Sequence, residues 1–125
     1  MLTKNRGGFT LIELLIVVVI IGILASIAIP KFAATKDKAK LAAVKSDVRN
    51  IITGQEAYFA DYNVYTASLP ATIFQATAGN VASTSLVGAT GYTATVTNSS
   101  ITINPKQCTV TVGSGSTTDG LVVCS

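Results

Sequence analysis

Glu13 is the one charged residue between Phe9 and Ile29. A carboxylate inside an apolar helix costs roughly 2.5–3.5 kcal/mol on membrane-insertion scales unless a cation meets it. Its spacing from the apolar residues around it therefore implies a partner from outside its own segment. Cys108 and Cys124 are the chain's only cysteines, both near its end in strand-like context. Such a pair in an exported domain suits a disulfide better than a metal site. Two free core thiols are the alternative. There is no histidine, so imidazole cannot activate a nucleophile, and a zinc site needing about four ligands has too few donors. Asp119 is the only acid in the C-terminal half, which argues against calcium. Gly113-Ser114-Gly115 approaches a dinucleotide loop, but Thr118 stands where the third glycine belongs. These residues give no enzyme, no metal and no cofactor.

The element that carries Glu13 is unusual. The chain has 125 residues, 49% hydrophobic and 12% charged, and the apolar residues are concentrated. Leu14 to Pro30 contains no charge, long enough to span a bilayer as a helix of roughly 20 residues. Residues 1–8 read as a short basic leader, with Lys4 and Arg6. The net charge of +3 is partly theirs: without residues 1–8, seven basic and six acidic side chains remain, a balance of +1. A nucleic-acid partner, DNA included, therefore gets no support from charge.

Residues 9–30 form the apolar segment, and residues 31–62 continue it in a different character. Leu41, Val44, Val48, Ile51, Ile52, Gln55, Phe59 and Tyr62 recur at spacings of three and four, a one-sided stripe. Lys38, Lys45, Arg49 and Glu56 follow another edge. No linker separates the segments. Pro30 removes one backbone hydrogen bond and Gly22 weakens the turn before it. The pattern predicts one helix of about 50 residues, roughly 75–80 Å long. A globular domain can cover only its second half, so the first half must be buried in lipid or in other chains.

Residues 63–125 make a β-rich head. No charge occurs between Asp61 and Lys106. Asp61 to Pro70 reads as a loop anchored by Tyr62 and Tyr65. Beyond Gly91, Tyr92, Ala94 and Val96 share a strand face, as do Ile101 and Ile103, and Cys108, Val110 and Val112. Asn98-Ser99-Ser100 and Gly113-Ser114-Gly115-Ser116 are turn signals, and Gly120 to Cys124 is a last short strand. Residues 71–90 carry no legible pattern. The fold class is α+β: a long N-terminal helix packed against a small C-terminal antiparallel sheet.

The run Gly7-Gly8-Phe9-Thr10-Leu11-Ile12-Glu13-Leu14 resembles the cleavage and methylation motif of type IV prepilins, a close likeness over roughly residues 4–32. The helix, sheet and cysteine pair are similar to that family in shape. The resemblance implies that a membrane-embedded prepilin peptidase cuts after Gly8 and N-methylates Phe9. It implies that Glu13 is required for filament assembly, and that Gly22 to Pro30 loses helical structure in some filaments. Cys108 and Cys124 would bound the family's variable disulfide loop. The implied partners are identical copies in a helical filament, an assembly platform with its ATPase, and the inner membrane that holds the precursor. The filament on the cell surface would serve adhesion, twitching motility or DNA uptake. Cleavage also creates a free amine with pKa near 7.7–8, cationic at neutral pH, that could pair with Glu13 of another subunit and set the stagger between helices.

Other readings stay open. Glu13 can simply complement its own helix dipole. Ser26-Ile27-Ala28 resembles a secretory cleavage site, though Glu13 does not belong in a signal core. The lysines at 36, 38, 40 and 45 can bind DNA or anionic lipid, or form a solvated helix face. Lys31, Lys36, Lys38 and Lys40 also follow the apolar run, against a simple positive-inside orientation. Tyr58, Phe59, Tyr62 and Tyr65 suggest a stack, which core packing explains as well. Asn98-Ser99-Ser100 matches a glycosylation sequon. By the resemblance, a type II secretion pseudopilin or a minor tip pilin would share the first segment.

Overall fold

The computed structural model describes residues 6–113, 115 and 117–125. Lys4 and most of the leader, together with Ser114 and Ser116 of the expected turn, lie outside the described residues. The chain divides into two compact units, at Thr35 and Lys36. Its elements are α1 (Leu11–Tyr62), β1 (Val81–Val87), β2 (Gly91–Thr97), β3 (Gln107–Val112) and β4 (Val123–Cys124).

The first unit holds the start of α1. From Leu11 to Ile29 the large apolar side chains are all exposed, on every side of the helix. Among the described residues α1 alone is long and apolar enough to cross a membrane. Helix continues through Pro30, although proline has no N–H to give the preceding turn.

The second unit is a helix on a sheet. The four strands form an antiparallel meander in the order β1-β2-β3-β4. Val44, Val48 and Ile51 of α1 form the buried core with Tyr92, Ala94 and Val96 of β2, Cys108 and Val110 of β3, and Ile101. Leu41, Ile52, Tyr65 and Leu69 pack around it. The opposite face of the sheet is threonine: Thr93 and Thr111 hydroxyls lie 3.1 Å apart, and Thr95 and Thr109 3.0 Å. The period-two alternation places apolar residues inward and threonines outward.

Three polar residues on the buried face of α1 tie the loops down. Asp37 accepts from the amides of Thr102 (3.0 Å) and Ile103 (3.3 Å) and from the Thr102 hydroxyl. Asp47 accepts from the Thr77 amide and hydroxyl, at 2.9 and 2.8 Å, and from Asn80 Nδ2 at 2.7 Å. Gln55 accepts from the Thr66 amide at 3.1 Å and donates to the Thr66 carbonyl at 2.6 Å. Such fully bonded polar groups are what a buried helix face can tolerate.

Four sequence expectations are corrected. Ile101 and Ile103 are not in a strand: Ile101 is buried and Ile103 half exposed in the loop between β2 and β3. Asp37 takes the amides at 102 and 103, and Pro105 has no amide to offer a ladder. The unreadable stretch 71–90 contains β1, in which only Ala82 and Thr84 are partly buried, and alanine and threonine are too weakly apolar to show a pattern. Tyr62 leaves the core stripe; it is exposed and stacks on Tyr58 at 4.5 Å. The last strand is limited to Val123–Cys124.

Candidate assembly site

Residues 6–10 are exposed and non-helical, so the Gly8–Phe9 peptide bond stands clear of any element. No atom lies within 4 Å of a Cβ placed on Gly7 or Gly8. Phe9 is 90% exposed. The next residue starts the helix by a local device: Glu13 Oε2 accepts from the Thr10 amide at 2.9 Å, and Thr10 Oγ1 accepts from the Glu13 amide at 3.4 Å. This reciprocal Thr-x-x-Glu arrangement satisfies two amides that the first turn leaves open. It fixes Leu11, two residues after Phe9, as the helix start. Thr10 is the capping residue that sequence reading passed over, although a capping box is legible as a pattern.

Within six residues, Gly8 to Glu13, the chain therefore places an exposed peptide bond, an exposed aromatic ring and the one carboxylate of the apolar segment. Gly22 has no neighbour within 4 Å of a Cβ position, and Ser26 donates to the Ile23 carbonyl at 2.7 Å, in the turn before Pro30. The arrangement offers a helix apolar on all faces and capped by a carboxylate. It offers apolar packing area and one carboxylate.

The other candidate residues lie in the second unit. Cys108 and Cys124 form a disulfide that joins β4 to β3, with 16 residues of separation. Asn98 of the sequon is buried; its Nδ2 donates to Asn80 Oδ1 at 2.8 Å and its Oδ1 accepts from Ser100. The amide nitrogen needed for a glycan is thus committed inside the fold. The aromatics are packing: Tyr65 lies between Phe59 (4.8 Å) and Tyr92 (4.9 Å). Tyr65 also donates its hydroxyl to Glu56 at 3.0 Å. Burial and then that bond push the Tyr65 pKa up. Among the described residues no group of His, Cys, Asp and Glu is placed to hold a metal ion.

The N-terminal segment and the α+β arrangement of one long helix and a small antiparallel sheet are similar to those of type IV pilin-like proteins. The model of the prokaryotic N-terminal methylation motif matches residues 3–29. The type IV major pilin PilA of Myxococcus xanthus is 47% identical over 62 residues, half of this chain and 28% of that protein. The type IV wide pilus major component PilA4 of Thermus thermophilus is 43% identical over 70 residues, 56% of this chain and 53% of that protein. The type II secretion system core protein G of Pseudomonas aeruginosa is 39% identical over 62 residues, half of this chain and 44% of that protein. The chain thus spans about half or less of the length of these relatives.

Proposed function

We propose that this protein is a structural subunit of a type IV pilus, released from its leader between Gly8 and Phe9 and polymerised through residues 9–30. The observation that carries this reading is one carboxylate, Glu13, three residues into an exposed helix that is apolar on all sides. Such a surface has no use in a chain standing alone in water. In a bilayer it is solvated by lipid, and in a filament by copies of itself. The exposed Gly8–Phe9 bond supports access for a prepilin peptidase. Cleavage leaves Phe9 with a cationic amine, and methylation there keeps the charge. That amine pairs with Glu13 of a neighbouring copy, so one register between helices meets both charges and the others leave one unmet. Pro30 and Gly22 supply the places where the helix can lengthen or bend on packing. The inner membrane holds the subunit first, and an ATP-driven assembly platform draws it into the surface filament.

Glu13→Ala is expected to leave cleavage and membrane insertion intact and to abolish surface filaments. N-terminal sequencing of the membrane pool and electron microscopy of sheared cells measure the two. Normal filaments from this variant, or a native protein beginning at Ile29, would sink the reading.

The likeness to the core protein G of Pseudomonas aeruginosa favours a second reading, a pseudopilus subunit of type II secretion. A deletion strain separates them: loss of surface filaments with normal secretion supports the pilus, and the reverse supports the pseudopilus.

A further inference from the structure

Lys36, Lys38 and Lys40 crowd the start of the second unit around a single acid, Asp37. Asp37 is buried, with its carboxylate turned inward to Thr102 and Ile103. Lys40 reaches it only at 3.9 Å and donates to the Ser100 carbonyl at 2.8 Å, which brings the 98–105 loop up against the lysines. Beside them Leu41, Ile101, Ile103 and Pro105, with Asp37 and Lys38, line an apolar groove of about 190 Å³. Ile103, at its rim, is 51% exposed. A cationic, apolar-rimmed end is the chemistry that enters a headgroup layer: ammonium groups meet phosphates while an aliphatic side chain inserts below them.

Chain connectivity says which bilayer. Lys36 follows Pro30 by six residues, so at most roughly 20 Å of backbone separates it from the end of the apolar segment, whatever path the chain takes. We infer that the end of the head formed by residues 36–41 and 101–105 docks onto anionic phospholipid headgroups of the same membrane that holds residues 9–29, parking the subunit before assembly. The inference rests on the membrane-held precursor of the preceding section. It gives a role to lysines that the positive-inside rule leaves unexplained.

The chain contains no tryptophan, so Ile103→Trp places a single indole at the rim. The full-length variant is reconstituted in phosphatidylcholine vesicles with and without phosphatidylglycerol, with brominated acyl chains as quenchers. Flotation reports insertion separately. Expected are a blue-shifted emission and strong quenching in anionic vesicles only. Both should be lost at high salt and in a variant that adds Lys36→Gln and Lys38→Gln. A chain that fails to float overturns the membrane reading and this one with it. A chain that floats, but whose indole is quenched equally in both lipids or in neither, overturns the docking alone. So does quenching that follows protein density at fixed lipid, which marks contact between copies.

Discussion

Asp37 shows how one side chain can be read wrongly from sequence. Between Lys36 and Lys38 it looks like a solvated charge, yet it is buried and holds the 102–103 backbone. The Thr102 hydroxyl, against the opposing effect of burial, keeps its carboxyl below the ordinary range, helped by the amides of Thr102 and Ile103 and by Lys40. The sign follows from linkage. A carboxyl whose folded pKa lies below its unfolded value of about 3.9 contributes stability above that value and loses it as pH falls through the folded pKa. Amide exchange at Thr102 and Ile103 is therefore expected to accelerate as pH drops below about 4, relative to the core amides of Val48 and Val110. In Asp37→Asn these loop amides should exchange faster at neutral pH, and the two proteins should converge in acid. An unchanged ratio of loop to core exchange across that range would remove the anion from the account. Glu13 is the opposite case: its type and spacing were legible, because a charge in an apolar run stands out. Asp37 and Asp47 were not, because the partners that make them tolerable lie between 30 and 66 residues away; the spacing of Gln55 put it on the buried stripe, but its bonds to Thr66 were not legible.

Elements follow the same division between local and distant signals. The helix was legible over nearly its full length because its periodicity is local and no linker breaks it at Pro30. β2 and β3 were legible because valine, cysteine and threonine alternate there. β1 was not, since a strand of Val-Ala-Ser-Thr-Ser-Leu-Val takes its inward face from its pairing with β2 rather than from its own hydrophobicity. β4 is two residues long, so the disulfide adds to the few backbone bonds that hold this end against β3. Closing a loop of this length is worth about 3 kcal/mol in the chain-entropy model. Reduction, or Cys108→Ser with Cys124→Ser, is expected to lower the head's unfolding free energy by about that amount. The loss should appear as a lower urea midpoint, with a slope no smaller than that of the oxidised head because the freed denatured chain exposes more surface. A midpoint that ignores reductant would show that β3 and the Ser125 backbone bonds to Lys106 and Gln107 suffice.

At the scale of the whole molecule, two kinds of surface share one chain. Every buried core residue, from Val44 to Val110, lies in the unit Lys36–Ser125. The three loop clasps, the sheet and the disulfide lie there too. The described residues before it contribute exposed apolar side chains and no core residue. The two units therefore present different surfaces: the head closes over its own core, and the described first segment leaves its apolar side chains exposed. Deleting residues 1–35 is expected to leave a water-soluble monomer with the same near-ultraviolet circular dichroism as the full chain in detergent and one cooperative thermal transition. The full chain without detergent should associate through residues 9–30, as an uncovered apolar surface of that extent requires. Sedimentation velocity on both proteins reads the difference. A truncated head that aggregates or melts without cooperativity would mean that the first segment supplies part of the core, and the division of labour between anchor and head would fall.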